Sequence, residues 1–467
     1  MDSTLACLAA WMTRQRWYAG KGRVPSLRLV AWFDLAPTEA DAVSEDPARP
    51  RVRTFLVLDE GALPVVLYQV PIVARSTASV EDSGGHVIGD PEPGVTFIDG
   101  PHDPAYTRAL VSLVTRGGTG SGPRTTVTGV PAADVEAPAV SDESAVLSGE
   151  QSNTSIIYRS GDGGPSIICK VFRQLHPGLN PDIELQSALS ASGSMHVPAA
   201  VGVLEGTWPD LATAGGSVRG SLAFAQEFLP DVDDAWRVAL RAAARREDFT
   251  VAAREIGEAT ADVHVALARL FPTSETRPAD REATADTWTR RLTMAIAEVP
   301  GIAERRDAIE AVYARALEAA WPPLQRIHGD LHLGQVLHSP GRGWVLLDFE
   351  GEPLRPMAER VRADLALRDV AGMLRSFDYV AGSIRLDTPE QSPDAALAWA
   401  RDARRAFLDG YATVSGIRLD AQRDLLAALE IDKAVYEAIY EARNRPTWVP
   451  IPLRAIARLV EQPTVNA

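Results

Sequence analysis

The stretch that decides the fold covers residues 327–353 and reads IHGDLHLGQVLHSPGRGWVLLDFEGEP. Its first part is the tripeptide His328-Gly329-Asp330, and Gln335 follows five positions after the aspartate. Its second part is Asp348-Phe349-Glu350, which follows an apolar run. The Ser-Pro-Gly sequence at 339–341 is typical of a tight turn. The stretch therefore predicts a loop that carries one carboxylate, then a hairpin, then a second carboxylate at the end of its last strand.

This spacing matches the needs of phosphoryl transfer. That reaction needs a carboxylate to take the proton of an acceptor hydroxyl, and oxygen ligands that hold Mg²⁺ against nucleotide phosphates. In protein kinases these roles fall on a catalytic-loop Asp, an Asn five residues later and the Asp of a following motif. Asp330, Gln335 and Asp348 occur in the same order, and Gln keeps the carbonyl oxygen on a longer side chain. A lone loop Asp is usually a cap or turn residue, but two motifs in this order favour a catalytic site.

Length and charge exclude several classes of protein. With 467 residues the chain is too long for a single ordinary core, and 47 basic against 62 acidic residues give a net charge of -15. Such a charge argues against a nucleic-acid partner. The two cysteines, Cys7 and Cys169, make no disulfide framework or metal motif. Since no signal peptide or membrane-length apolar run is recognisable, the expectation is a cytoplasmic protein without a membrane partner.

The first ninety residues predict a small antiparallel sheet with one helix packed on it. A helical pattern covers residues 5–16, and strand-like runs cover 27–35, 52–58 and 65–73. Lys21 lies between two glycines but lacks the Walker pattern, so a structural role is expected. Residues 90–103 read as a junction and 104–114 as a helix. The Gly-rich stretch 116–124 reads as a flexible loop.

Residues 145–172 predict a nucleotide-binding element of strand, loop, strand, turn and strand. The loop offers Ser152, Asn153 and Thr154 as hydrogen-bond donors to phosphate, but it holds a single glycine, Gly149. Lys170 lies inside an apolar strand and would reach the phosphates while pairing with Glu184 on the following helix. The alternative is an edge-strand lysine whose ammonium reaches solvent. The strand at 222–229 ends in Gln226, Glu227 and Phe228, whose backbone groups would face adenine.

The chain after residue 231 is predicted to be mainly helical. Helical patterns cover residues 252–270, 287–298, 308–321, 369–379, 395–411 and 421–442. In the last of these, Tyr436, Tyr440 and Arg443 share one face if the helix continues. Together with Trp448 they would suit a sugar, whose ring stacks on aromatic side chains. A core helix with a few satisfied polar groups explains the same pattern.

At these residues the sequence resembles a known family. The segments HGDLHLGQVL, DFEGEP, EQSNTS and NPDIEL and the tail DKAVYEAIYEARNRPTWVPIPL are similar to the bacterial maltokinases, and RQRWYAGKGR resembles the start of their cap subdomain. The resemblance implies an α+β, bilobal, protein-kinase-like fold with an extra N-terminal cap subdomain and a mainly helical C-lobe. The expected parts are a cap at 1–90, an N-lobe with an intermediate subdomain at 91–230, and a C-lobe at 231–467.

The resemblance also implies a function. It implies phosphorylation of maltose by ATP and Mg²⁺ at the anomeric hydroxyl, giving maltose 1-phosphate on a route from trehalose to α-glucan, and association with trehalose synthase. Asp330 would be the base, Gln335 and Asp348 the Mg²⁺ ligands and Lys170 a phosphate ligand. The family pattern further implies a sugar pocket that comprises His332, Glu350, Tyr436, Glu437, Tyr440, Arg443 and Trp448.

Two other functions fit parts of the sequence. A related kinase could act on glucosamine or an aminoglycoside, although Arg443 and Arg445 beside the expected pocket disfavour a polycation. A nucleotide-binding module without catalysis would have lost the base or a metal ligand. Asp330, Gln335 and Asp348 are all present, which favours an enzyme.

Overall fold

The computed structural model describes residues 2–35, 50–80, 86–133, 140–147, 152–160, 164–353, 355–387 and 393–461. The chain forms two compact units. Unit 1 comprises Met1–Ser187 and Pro198–Pro230, and unit 2 comprises Ala188–Val197 and Asp231–Ala467. The expected boundary at 90 falls within a strand of unit 1, and the one at 230 coincides with the end of unit 1.

Unit 1 is built mainly from β-strands. Its helices are α1 (Asp2–Met12), α2 (Pro104–Arg116) and α3 (Pro181–Ala191), the last of which runs across the division at Ser187. Its strands are β1 (Leu27–Asp34), β2 (Arg51–Asp59), β3 (Val66–Ser76), β4 (Val87–Glu92), β5 (Val95–Asp99), β6 (Gly118–Gly122), β7 (Thr125–Pro131), β8 (Val140–Val146), β9 (Asn153–Ser160), β10 (Ile167–Phe172), β11 (Gln174–Leu175), β12 (Ala200–Pro209) and β13 (Ser217–Glu227).

These thirteen strands of the described part of unit 1 form one sheet. The order is β4-β5-β3-β2-β1-β6-β7-β12-β13-β10-β9-β8, and β11 pairs with β3. One core contains Leu110 of α2 together with Phe33 and Phe224 from the strands. A second core contains Leu8 and Trp11 of α1. The predicted N-terminal sheet with one helix is confirmed, and it is continuous with the strands that carry Lys170.

A buried carboxylate anchors the segment that follows α1. Asp59 is fully buried and accepts hydrogen bonds from the Tyr18 hydroxyl (2.8 Å), Arg23 (2.8 Å) and the amide of Ser26 (3.1 Å). Lys21 is exposed and donates to the carbonyl of Gln15. These contacts agree with the structural role predicted for Lys21.

Two predictions for unit 1 were wrong. The Gly-rich stretch at 116–124 is the strand β6 and the turn into β7, not a flexible loop. A Cβ atom at Gly122 would lie 1.8 Å from the carbonyl oxygen of Trp32, so glycine is needed because the backbones of β1 and β6 approach closely there. The expected junction at 90–103 contains β5, which pairs with β3.

Arg173 ties distant parts of unit 1 together. Its side chain is 0% exposed, and Nε donates to the Thr154 hydroxyl (2.8 Å) while Nη2 donates to Asp99 (3.1 Å). The guanidinium also lies 4.8 Å from the ring centroid of Trp17. One buried cation thus joins the N-terminal segment, β5 and β9.

Unit 2 is mainly helical. Its helices are α4 (Ala235–Arg245), α5 (Thr250–Leu270), α6 (Pro278–Glu298), α7 (Arg306–Glu318), α8 (Met357–Arg360), α9 (Leu367–Asp387), α10 (Pro393–Ser415), α11 (Arg423–Asn444) and α12 (Pro450–Glu461). Its strands β14 (Asp233–Asp234), β15 (Val336–Ser339) and β16 (Gly343–Leu346) form a small antiparallel sheet.

The structure contains all six helices predicted for this part of the chain, with shifted ends, and it contains the hairpin predicted around residue 340. Sequence analysis missed α12. α5 and α10 pack closely enough that a Cβ atom at Gly257 would lie 2.2 Å from the carbonyl oxygen of Phe407. Among the residues that the structure describes, no helix has the length and apolar character needed to cross a membrane.

The buried Arg173 gives a test of this description of unit 1. Arg173→Met should lower the free energy of unfolding by about 3–5 kcal/mol, because Asp99 would stay buried without its cation. Urea unfolding measures the loss. The matched control is Arg28→Met, because Arg28 pairs with Glu60 at a half-exposed site, and its loss should stay within about 1 kcal/mol. Equal losses in the two variants would contradict the role of Arg173.

Candidate active site

The loop at 327–335 is held by a buried carboxylate of α9. Asp369 is 1% exposed, and its two oxygens accept from the amides of His328 (2.8 Å) and Gly329 (2.9 Å). His264 Nε2 lies 2.9 Å from Asp369 Oδ2, and His264 Nδ1 shares a hydrogen bond with the Tyr411 hydroxyl. Burial acts to raise the pKa of Asp369, but these partners outweigh it and the pKa is lowered. An ionised carboxylate therefore fixes the backbone immediately before Asp330.

A second set of contacts fixes the loop to the hairpin. His328 Nδ1 accepts from the amide of Asp330 (3.3 Å), so Nε2 carries the proton and donates to the carbonyl of Leu347 (2.7 Å). The ring of the buried Phe349 packs against the ring of His328, with centroids 4.7 Å apart. The two motifs that sequence analysis paired are thus locked together through His328.

The two predicted metal ligands are in contact. Gln335 Nε2 donates to Asp348 Oδ2 over 3.1 Å, and both side chains are half-buried. Asp348 has a φ of 64°, a left-handed backbone conformation that is unusual for a residue other than glycine. A carboxylate and an amide carbonyl are oxygen donors of the kind that Mg²⁺ takes. The donor set of Gln335 and Asp348 therefore fits a hard divalent cation.

Asp330 does not stand alone. Lys433 on α11 donates from Nζ to Asp330 Oδ1 (3.1 Å) and to Glu352 Oε1 (2.5 Å). Burial acts to raise the pKa of Glu352, but Lys433 and Arg291 outweigh it and lower that pKa to about 2. Burial acts to lower the pKa of Lys433, but Glu352 and Asp330 outweigh it and raise that pKa. One ammonium is therefore shared by two carboxylates.

Three of the residues expected to form a sugar pocket are half-buried. Tyr436 lies next to Lys433, and His332 and Glu350 each follow two residues after a predicted active-site aspartate. Tyr436 is half-buried, and its ring centroid lies 5.2 Å from Lys433 Nζ and 5.5 Å from the Arg291 guanidinium. His332 is half-buried; its Nδ1 accepts from the amide of Gly334, and burial lowers its pKa. Glu350 is half-buried and follows two residues after Asp348.

The other four expected sugar residues differ in their surroundings. Glu437 is buried, and its Oε2 accepts two hydrogen bonds from the buried Arg375. Arg443 is exposed and forms an ion pair with Glu298 of α6. Both side chains are therefore held by ion pairs, and their expected sugar contact stays a prediction.

Tyr440 and Trp448 retain aromatic surface for a ligand. Tyr440 is 41% exposed. The ring of Trp448 is half-buried and lies between Tyr379 (centroids 6.2 Å apart) and the Arg445 guanidinium (4.4 Å). Since Tyr436, Tyr440 and Arg443 all lie on α11, the condition for a shared face is met.

The predicted lysine of unit 1 has an acidic partner on the helix that follows, as expected, and this partner is Asp182. Lys170 on β10 donates from Nζ to Asp182 Oδ2 over 2.9 Å. Asp182 is 1% exposed in the first turn of α3, whereas Glu184 is half-buried. The cap of this helix is Asn180, whose Oδ1 accepts from the amide of Asp182. Sequence analysis named Glu184 of the same helix for this ion pair and did not name Asp182.

The loop before β9 is described only from Ser152 onward, so the predicted contribution of residues 149–151 lies outside the described residues. Ser152 is exposed and Asn153 is half-buried. Thr154 is buried, and its hydroxyl accepts from Arg173. The Thr154 hydroxyl is therefore engaged within unit 1, and its expected phosphate contact stays a prediction.

The segment expected to face adenine uses its donors within unit 1. The amide of Glu227 donates to the carbonyl of Ala199 (2.8 Å), and the amide of Phe228 donates to the carbonyl of Ser166 (2.8 Å). The side chain of Gln226 accepts from Gln186. These two backbone N–H groups are therefore not available as donors to adenine, because backbone pairing continues past the end of β13.

Sequence analysis missed four residues that shape this site, namely Asp182, Glu352, Asp369 and Lys433. For Lys433, the amino-acid composition of the chain gave a signal that could have identified it. Only three of the 47 basic residues are lysines (Lys21, Lys170 and Lys433), and the other 44 are arginines. Two of these lysines, Lys170 in unit 1 and Lys433 in unit 2, contact a carboxylate, which makes lysine itself a marker in this chain.

Comparison with known families agrees with this geometry. Residues 11–103 match the family model described as the maltokinase N-terminal cap domain. Residues 144–411, more than half of the chain, match the phosphotransferase enzyme family.

Individual relatives carry a different name. Glucosamine kinase of Streptacidiphilus jiangxiensis is 34% identical over 302 residues, which is 61% of this chain and 66%, just under two thirds, of that protein. Glucosamine kinase of Mycolicibacterium smegmatis (strain ATCC 700084 / mc(2)155) is 30% identical over 334 residues, covering 68% of this chain and 79% of that protein.

Solved structures give the same picture over nearly the full length. Glucosamine kinase in complex with glucosamine, ADP and inorganic phosphate has a TM-score of 0.66 at 26% identity, covering 97% of this chain and 98% of that one. A second crystal form has a TM-score of 0.67 at 26% identity and covers 98% and 99% of the two chains. The chain has the predicted α+β kinase-like fold with an N-terminal cap and a helical C-terminal part, and it belongs to the phosphotransferase enzyme family.

Proposed function

We propose that this phosphotransferase uses ATP and Mg²⁺ to phosphorylate a sugar hydroxyl, and that the sugar is maltose. The observation that carries the kinase assignment is the Asp330 carboxylate, held on a loop whose backbone Asp369 fixes. The cap match at residues 11–103 supports maltose as the acceptor, as does the resemblance of the C-terminal tail to maltokinases. The product would be maltose 1-phosphate, formed at the anomeric hydroxyl.

Asp330 would act as the base. Its Oδ1 accepts from Lys433, so we assign Oδ2 to the proton of the acceptor hydroxyl. Contacts of Asp369 and His328 keep the loop in one conformation, which holds the base in line with the acceptor.

Gln335 and Asp348 would hold Mg²⁺ through the amide carbonyl and the carboxylate. A cation held there would supply positive charge to stabilise the transferred phosphoryl group. Lys170, oriented by Asp182, would donate to phosphate oxygens of ATP. Ser152 and Asn153 are the remaining candidates for phosphate contacts from the preceding loop.

The aromatic side chains Tyr436, Tyr440 and Trp448 are the groups that we propose for stacking on the sugar rings, with His332 and Glu350 as hydrogen-bonding partners. A maltose 1-phosphate product would place the enzyme on the route from trehalose to α-glucan. An association with trehalose synthase is part of the same proposal.

The second candidate is a glucosamine kinase. The curated relatives at 34% and 30% identity carry that name, and so do the similar structures. The two assignments share the fold and the role of Asp330, and they differ in the acceptor.

A product assay separates these functions. The protein is incubated with ATP, Mg²⁺ and, separately, maltose, glucose, glucosamine or kanamycin, and products are identified by ³¹P and ¹H NMR. We expect phosphate on the anomeric carbon of maltose. Phosphorylation of glucosamine alone would replace maltose by glucosamine, and phosphorylation of kanamycin alone would indicate an aminoglycoside kinase. The absence of product with every acceptor would favour a nucleotide-binding module without catalysis.

Asp330→Asn tests the base. It should lower kcat by about 10²- to 10⁴-fold, because the amide cannot take the proton of the acceptor, while ATP affinity measured by calorimetry stays within about threefold. Asp402→Asn on α10 is the matched control, since its ion pairs with Arg401 and Arg405 are at the surface. Wild-type turnover by the Asp330 variant would remove Asp330 from this role.

Lys170→Met tests the phosphate ligand. It should lower kcat/KM for ATP by about 10- to 100-fold, because a charge-assisted hydrogen bond to phosphate is lost. Lys21→Met is the matched control, because Lys21 is exposed and contacts only a backbone carbonyl in the described part of the chain. A Lys170 variant with unchanged ATP kinetics and normal thermal stability would indicate a structural lysine instead.

A further inference from the structure

The ammonium of Lys433 lies where the acceptor has to react. Its Nζ atom is 3.1 Å from Asp330 Oδ1, and its side chain is 20% exposed. The same ammonium contacts Glu352, whose side chain is 5% exposed. Any acceptor hydroxyl that gives its proton to Asp330 must therefore approach within a few ångströms of this cation.

The cation beside Asp330 is a lysine and not an arginine. Lys433 is the sole lysine in residues 231–467, although this part of the chain contains many arginines. Buried ion pairs elsewhere in unit 2 use arginine, for example Arg375 with Glu437 and Arg291 with Asp432. Lysine differs from arginine because its charge is compact and lacks the planar fork of a guanidinium. A compact cation leaves room for an acceptor beside Asp330.

Two arginines and an aromatic ring lie near the group formed by Lys433 and Glu352. Arg291 and Arg368 both contact Asp432 and both act on Glu352 electrostatically. Lys433 lies 5.2 Å from the ring centroid of Tyr436, where the π-face also favours a cation. Lys433 is thus one of several basic side chains that act on Glu352.

We propose that Lys433, anchored by Glu352, makes this enzyme selective for uncharged sugars and against sugars that carry an ammonium group near the reacting hydroxyl. The inference rests on the proposed function in one respect, which is that Asp330 receives the proton of the acceptor. A protonated amine on a carbon next to the reacting hydroxyl would lie close to Nζ, and like charges at such distances repel in a partly buried site. A neutral hydroxyl at the same position can accept a hydrogen bond from Nζ.

Removing the cation should reverse the preference. Lys433→Met leaves Asp330 and Glu352 as two carboxylates without their shared partner, and such a pair attracts an ammonium group. Lys433→Arg keeps the charge. The double variant Lys433→Met/Glu352→Gln removes one charge of each sign, so it is better balanced and keeps the test available if the single variant does not fold.

The experiment uses glucose and glucosamine as a matched pair, because they differ at one position and glucosamine is charged at mildly acidic pH. For each variant, kcat/KM is measured for both sugars and for maltose; a sugar that is not turned over is measured as an inhibitor of the best acceptor. We expect the wild type to favour glucose. In Lys433→Met the glucose-to-glucosamine ratio should fall at least about tenfold, and in the double variant it should fall by less. Lys433→Arg should preserve the ratio within about threefold, and the exposed-lysine control Lys21→Met should leave it unchanged.

Two outcomes would overturn the inference: a wild type that favours glucosamine, or a folded Lys433→Met variant whose ratio stays within about twofold of the wild type. If Lys433→Met does not fold, a double variant that keeps the wild-type ratio would overturn it as well. A failure of the maltose assignment can be told apart from a failure of this inference by the same kinetic measurements. A wild type that ignores maltose but favours glucose, with the expected shift in Lys433→Met, would support the inference while removing maltose as the acceptor.

Discussion

The candidate active site depends on one buried carboxylate, Asp369. An anion without water is costly unless hydrogen bonds and opposite charge compensate for the loss of hydration. Asp369 obtains this compensation from the amides of His328 and Gly329 and from His264. Because two of these donors belong to the backbone of the reactive loop, satisfying the carboxylate and fixing the loop are the same event. The position of Asp330, one residue further on, follows from it.

Ionised pairs shape the rest of unit 2 as well. Asp378 accepts from Arg375, Arg404 and Arg458, and Arg375 also binds Glu437. These contacts explain how polar side chains of α9 and α11 can be buried. The acids Asp378 and Glu437 are paired with arginines. The group at Asp330 differs, because Lys433 and Asp330 both keep about a fifth of their side-chain surface exposed. Charge is therefore compensated there while access for an acceptor is retained.

In unit 1 the N-terminal strands and the strands around Lys170 belong to the same sheet. The sheet runs without a break from β4 to β8, and Gln69 on β3 donates to the carbonyls of Phe172 and Leu222. Arg173 adds a buried ion pair across the same region. β10, which carries Lys170, is thereby bordered by β9 and β13 and by helix α3, whose Asp182 pairs with the lysine. Lys170 is consequently held by rigid elements instead of by a loop.

The sequence by itself determined the α+β fold class, most helices and strands, and the trio of Asp330, Gln335 and Asp348. These features are local: hydrophobic period identifies the elements, and the trio lies within nineteen residues on a loop and a hairpin whose turn is legible. Only the tertiary structure decided which charges meet. Lys433 reaches Asp330 across 103 positions, and Asp369 reaches His328 across 41. It also decided that Glu437 and Arg443 are committed to ion pairs and that Lys170 pairs with Asp182. Such pairings depend on how helices and strands pack, and a charged residue on a helix has the same local signal whether it faces solvent, a ligand or a buried partner.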